Sequence, residues 1–364
     1  MHPKRLACLL PIVITFATLP ARGELAIGGF SSDAIPSHPI RVFAAGAQGS
    51  DPPMRELAGP ATQLVSPMSG VYEPNEQVIY VSDFNGKALR VYPAFADGDV
   101  APLRVLNPPL LGQTRANAPV HAHGEIGLIA SNCCIYTWPL HASGDAAPPL
   151  RHIAWGGGSN PTTQLNNPSS LIYIAATDEY AVSDYTPGPP YISRIVFHAR
   201  TANGYAAPTR MLTGAGVANS RAIAWDGETR RLFVLRQEPQ VNGVQPGLIA
   251  VFADDASGEA LPLYTIEGPA TLLDRPTGHY YYGIAHDRWL HRLWVSSASN
   301  AVNPADNRVL GFDDQASGNA APLQQLSGSQ LSGNVVGAPF AVPAMAPADT
   351  IFDDGFEGSN RAGG

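Results

Sequence analysis

His121 and His123 stand two residues apart, so on a β-strand their imidazoles share one face, and His-x-His is a usable spacing for metal ligands. One strand supplies at most two ligands, while a catalytic zinc needs a third and an open position. Cys133 and Cys134 are adjacent. Apart from Cys8 near the amino terminus they are the remaining cysteines, too few for a disulfide framework or a four-cysteine zinc site. They read either as a vicinal disulfide formed in an oxidising compartment or as two small buried residues on a strand. Other strings carry less chemistry. Gly156-Gly157-Gly158 lacks the strand-to-helix context of a phosphate cradle. Asp254-Asp255 and Asp313-Asp314 recur at the same turn, which favours turn capping over calcium. There is no Gly-x-Ser-x-Gly elbow, and no paired acidic motif stands out against the low charge background.

The elements that would position such groups must be short. Of 364 residues, 36 are Gly and 34 Pro, and 14 % are charged, against about 25 % in an average soluble protein. This composition excludes a coiled coil, a charged disordered chain and a basic nucleic-acid binder. With 45 % hydrophobic residues, it still supports a sizeable core of strands joined by many turns. Residues 1–23 read as a secretory signal: Lys4 and Arg5 precede an apolar run from Leu6 to Leu19, and Ala21-Arg22-Gly23 offers a cleavage spacing. The run is too short for a bilayer span of about 20 residues, and no later segment reaches that length, so no membrane insertion is expected after cleavage. The formal net charge of −8 becomes more negative once Lys4, Arg5 and Arg22 are removed, which also argues against nucleic acid as a partner.

A repeat organises the rest. Copies begin at Ile40-Arg41-Val42-Phe43, Leu89-Arg90-Val91-Tyr92, Ile135-Tyr136-Thr137-Trp138, Arg194-Ile195-Val196-Phe197, Ile249-Ala250-Val251-Phe252 and Arg308-Val309-Leu310-Gly311-Phe312. Each runs into a turn whose glycine (Gly49, Gly98, Gly144, Gly204, Gly258, Gly318) is followed at the fourth position by proline (Pro53, Pro102, Pro148, Pro208, Pro262, Pro322). The period of 46 to 60 residues is long enough for a four-stranded unit. An outer strand follows each proline, as in Met54-Arg55-Glu56-Leu57, and then two inner strands, as in Gly70-Val71-Tyr72 and Val78–Asp83. Arg221–Asp226 with Arg231–Val234, and Tyr282–Asp287 with Arg292–Val295, are equivalent pairs. They are apolar on both faces, as a sheet packed between two neighbours requires.

The order Gly-Ile-Ala-x-Asp, Ile-Tyr-Val-x-Asp, Ile-x-Val-Phe resembles the NHL-type six-bladed β-propeller, here of a secreted bacterial kind, over roughly residues 40 to 330. The resemblance implies an all-β ring but not a reaction, because propellers host hydrolases, lyases and binding scaffolds alike. Ala118–Ser131 is a degenerate third blade and Gln237–Gly247 a long excursion. Six outer hairpins but five clear inner pairs are visible. The sixth pair is therefore expected from the chain ends, Leu25–Phe30 with Pro339–Val342, which closes the ring and removes an open edge. The expected domains are a signal over 1–23, a propeller over 24–345 and an acidic tail over 346–364. Asp349–Glu357 in that tail resembles an ending shared by secreted proteins of some Gram-negative bacteria, and reads as a sorting tag or as a frayed terminus.

In a propeller a ligand meets the residues that open the innermost strands. By alignment of the repeats these are Ser69, Asn117, Ser170, Arg221 and Tyr282. Arg221 is the one cation among them, suited to a carboxylate or a sugar hydroxyl, unless the channel holds only water and satisfied polar groups. Resemblance to propeller lyases that hold a metal with channel histidines implies His286, on the inner strand of the fifth blade, as a third ligand beside His121 and His123. Alternatively, all three lie between blades and bond locally. The expectation is a secreted, periplasmic or extracellular propeller that acts without catalysis as a binding or surface-associated module, its partner a small molecule, a carbohydrate or a protein. The alternative is a metal-assisted lyase or hydrolase in the channel. The sequence names no cofactor and no oligomeric state.

Overall fold

The computed structural model describes residues 23–30, 38–112, 119–130, 133–156, 161–186, 191–299, 303–331 and 335–344. Six antiparallel four-stranded sheets account for nearly all of its regular structure. Among the described residues there is no α-helix, and the helical turns are three-residue 3-10 pieces such as Pro60–Thr62 and Pro269–Thr271. No described helix is long and apolar enough to cross a membrane. Each sheet is a blade, and the protein is a six-bladed β-propeller.

The innermost strands, in blade order, are Val335–Pro343, Pro67–Glu73, Val120–Ala122, Pro168–Ile174, Ser220–Asp226 and His279–Asp287. The first blade combines the two ends of the described chain: Val335–Pro343, then Gly23–Phe30, Ile40–Phe43 and Arg55–Leu57. Leu25 pairs with Ala341, Ala26 with Phe340 and Ile27 with Pro339, the closure expected from the missing inner pair. A buried ion pair between Glu24 and Arg55 ties the second strand of this blade to its outermost one.

The core lies between blades rather than within one centre. Successive residues of a strand point to opposite faces. Leu232 and Val234 therefore pack toward the fourth blade with Phe197 and Phe252, while Phe233 and Leu235 pack toward the sixth with Leu293 and Phe312. Equivalent clusters fill the other four gaps. This is why the strands next to the innermost one, such as Arg231–Gln237, carry apolar residues on both faces.

The repeat's turn glycine has a specific task. In each of the six copies its N–H donates to, and its C=O accepts from, the outermost strand of the preceding blade. Gly98 bonds Glu56 and Ala58 at 2.8 and 3.1 Å, and Gly258 bonds Met211 and Thr213 at 2.7 Å each. All six glycines have φ between +57° and +87° with open space where a Cβ would project, so conformation rather than crowding requires glycine. These bonds form a belt around the rim.

Two expectations need correction. His286 belongs to the sixth blade, because the chain ends build the first one. Asp313 does cap its turn through Gln315 N–H at 2.9 Å, but Asp254 and Asp314 turn inward: Asp254 accepts from Trp225 Nε1 at 3.0 Å and Asp314 from His286 Nε2 at 3.0 Å. A carboxylate at that position thus anchors a channel side chain rather than merely capping. The excursion after Gln237 adds a short ladder, Val244–Gln245 with Arg275–Pro276, that reaches the entry to the next blade.

Candidate functional site

Six inner strands running the same way enclose a channel of about 280 Å³, to which every blade contributes, among others Ser69, His121, Tyr173, Trp225, His286 and Phe340. Its two mouths differ in chemistry. At the end where the strands begin, Arg221 lies half-buried with its guanidinium 5.7 Å from the Tyr280 ring centroid. Burial pushes the Arg221 pKa down, while the nearby Tyr185, Tyr280 and Tyr282 hydroxyls act in the opposite direction. No carboxylate among the described residues pairs with it. Tyr282 stands 6.4 Å from Phe30, which meets Phe84 edge-on at 6.1 Å, so the described residues of this mouth set aromatic rings around the Arg221 guanidinium. Burial raises the Tyr282 pKa, so the phenol stays protonated and can donate.

Arg221 and Tyr282 are neighbours here, whereas Ser69 and Ser170 stand one register step away. Each of these strands carries a β-bulge, between Pro67 and Ser69, Pro168 and Ser170, Ser220 and Ala222, and Tyr281 and Gly283. Arg221 and Tyr282 are the bulged residues, and their counterparts are Met68 and Ser169. A one-residue slip sends a side chain to the other face. Ser170 is accordingly fully buried, its Oγ accepting from Ile223 N–H at 3.2 Å between blades, while Ser69 is buried against the channel wall. Asn117 lies outside the described residues.

The three histidines do not converge. His123 is exposed in the hairpin turn after its strand and faces Tyr173 Oη at 3.0 Å and Asp178 at 3.7 Å. His121 and His286 both line the channel, but each has local company. Burial drives the His121 pKa down against the pull of Glu73, and His286 stacks on Phe233 at 6.2 Å with its two nitrogens 3.0 Å from Asp314 and 3.9 Å from Asp226. Among the described residues, Asp226, His286 and Asp314 are the one group of three ligating side chains within 4.8 Å of one another. Nε2 of His286 is hydrogen-bonded to Asp314, while Nδ1 stands 3.9 Å from Asp226, beyond hydrogen-bond range. Asp226 accepts from Glu228 N–H and from the Thr229 hydroxyl. The trio therefore fits a pin between the fifth and sixth blades better than a metal centre. Cys133 and Cys134 are disulfide-bonded to each other.

The sequence reading missed a ring at the other mouth. The x of Gly-Ile-Ala-x-Asp is the penultimate residue of five inner strands, and register makes Tyr72, His121, Tyr173, Trp225 and His286 equivalent, with Ala341, third from the end of its strand, in the first blade. The signal was present as recurring rings at one repeat position, but only the strand pairing aligns the short third blade with the others.

No family model matches the chain, and no curated protein matches it in sequence. A chain from the crystal structure of a nidogen/laminin complex shares the fold with a TM-score of 0.58 at 11 % identity, over 88 % of this chain and 98 % of that one. A protein of unknown function from Bacteroides caccae gives 0.56 at 9 % identity, over 88 % and 99 %. At these identities the likeness is one of fold.

Proposed function

We propose that this protein is an exported, NHL-like binding propeller that holds an anionic group of its partner at the Arg221 mouth of the channel. The observation that carries the reading is Arg221 itself: a guanidinium half out of water, framed by tyrosines, with no carboxylate among the described residues to neutralise it. Leaving a cation partly desolvated is costly unless something binds there. A carboxylate offers the fork-shaped match that guanidinium favours, and a tyrosine hydroxyl supplies a further donor. The solved propeller from a nidogen/laminin complex was determined with a protein partner, which makes a protein ligand a reasonable class here. Export is supported by the character of residues 1–23 and by the Cys133–Cys134 bond, since disulfides persist in oxidising compartments. The test is affinity capture from an envelope fraction with immobilised wild-type protein and Arg221→Ala. A partner retained by the first and lost by the second supports the reading. Equal capture by both, or by neither, overturns it.

A further inference from the structure

The opposite mouth has a different chemistry and does not depend on Arg221. Beyond the channel, and continuous with it through His121, Trp225 and His286, lies a cavity of about 460 Å³, within the range of about 300–1,000 Å³ usual for small-molecule sites. Tyr72, Trp225 and Trp289 form its aromatic walls. Ala341 interrupts the ring of equivalent residues in the first blade, and Trp289, from the sixth, meets Tyr72, from the second, edge-on at 5.8 Å across that gap. Trp225 is held at both ends of its indole. Nε1 donates to Asp254, itself clamped by Arg230 at 2.9 to 3.0 Å, and the far edge lies so close to Gly227 that a β-carbon there would sit 2.8 Å from Cη2. Rigid aromatic surfaces of this kind lose little entropy on binding.

Polar groups stand at the rim. Glu228 and Arg288 both line the cavity, and neither is in an ion pair with a described residue; Arg288 lies over the Trp289 ring at 4.9 Å. Burial holds the His121 pKa below its ordinary value, and with one ring nitrogen bonded to the Tyr72 backbone the other is left to accept. At the exposed rim one acid and one base balance, and Asp226, which also lines the cavity, is buried and taken up by the Glu228 N–H and the Thr229 hydroxyl. A purely apolar ligand would bury Glu228 and Arg288 without partners. A pyranose satisfies both demands, because its axial C–H groups carry partial positive charge that suits the face of an aromatic quadrupole while its equatorial hydroxyls reach donors and acceptors around the edge. We propose that this mouth is a binding site for a neutral saccharide, with Trp225 and Trp289 as stacking surfaces and Glu228, Arg288 and His121 as hydroxyl partners.

The test is a tryptophan-fluorescence and calorimetric titration of the full protein with a panel of neutral sugars: glucose, galactose, mannose, N-acetylglucosamine and their β-linked disaccharides. At least one should change the emission and bind with a measurable heat. Trp289→Ala should weaken that binding tenfold or more, equivalent to about 1.4 kcal/mol, Trp289→Phe should retain most of it, and Glu228→Ala, an exposed change that leaves both indoles in place, should weaken it with an unchanged melting temperature. The proposal is overturned if no sugar of the panel binds, if an aromatic amino acid or a nucleoside binds in place of the sugars, or if sugar binding survives both Trp289→Ala and Glu228→Ala.

Discussion

The amide of Gly49 donates to the carbonyl of Gln325 at 2.7 Å, joining the first blade's turn to the last blade's outer strand, and the carbonyl of Gly49 accepts from Ser327 at the same distance. The same reciprocal pair occurs at all six blade junctions, so ring closure at the rim uses the device that joins every other pair of blades. Closure at the channel uses a different one, the pairing of Gly23–Phe30 with Val335–Pro343.

The belt predicts the effect of Gly258→Ala. The added methyl meets open space, so the cost is that of a left-handed conformation for an L-residue, about 1 to 2 kcal/mol. Urea unfolding should show that loss with the fold retained. No loss would mean that the turn relaxes and the hydrogen bonds to Met211 and Thr213 are dispensable.

Glu24 and Arg55 form an ion pair in which both side chains are almost wholly buried. Glu24→Ala leaves the guanidinium with the Ala94 carbonyl and the Phe95 ring for company, and should cost about 3 to 5 kcal/mol. The double change Glu24→Leu with Arg55→Met should recover most of it, because an apolar pair has no desolvation penalty. Thermal melts of the three variants decide this.

Arg221→Ala should leave the melting temperature nearly unchanged, since the side chain makes no hydrogen bond or ion pair with a described residue and its equivalents are Met68 and Ser169. Unfolding of this variant would make Arg221 a packing residue and remove the main support for the channel-mouth site.

His198 is fully buried, and burial brings its pKa down to about 4, against the opposing hydrogen bond to the Thr163 carbonyl. The unfolded chain takes up this proton near pH 6.5 and the folded one does not. Stability is therefore fully present above pH 6.5 and is lost as the pH falls from there toward 4, by on the order of 3 kcal/mol. Denaturant titrations at pH 7.5, about 5.5 and about 4.5 should show the decline, and His198→Leu should flatten it. An unchanged slope in the variant would assign the acid sensitivity to other groups.

Most of the architecture was legible in the chain, for a physical reason: a propeller repeats one local solution. Each blade needs a glycine at positive φ to reach its neighbour, a proline to release the chain into the outer strand, and strands apolar on both faces. All three demands fall on residue types at fixed spacing, so Gly49 through Gly318 and their prolines announced the blade count. The absence of a sixth inner pair announced that the ends must meet.

The sites were less legible, because they depend on which face a side chain takes and on who stands opposite. The bulges that separate Arg221 from Ser170 by one register step add a residue without changing the pattern of types, so alignment by sequence could not place them. The spacing of His121 and His123 was compatible with a shared strand face, yet the strand ends at Ala122 and His123 falls in the turn. Asp254 and Asp314 looked like turn residues, and only the packed blade shows them reaching inward to Trp225 and His286. The sequence alone determined the number of blades, their order and the way they close, since local hydrogen bonding and burial dictate these. The tertiary structure decided which rings surround each mouth of the channel, because Tyr72, Trp225 and Trp289 come from three blades and meet only when the ring has closed.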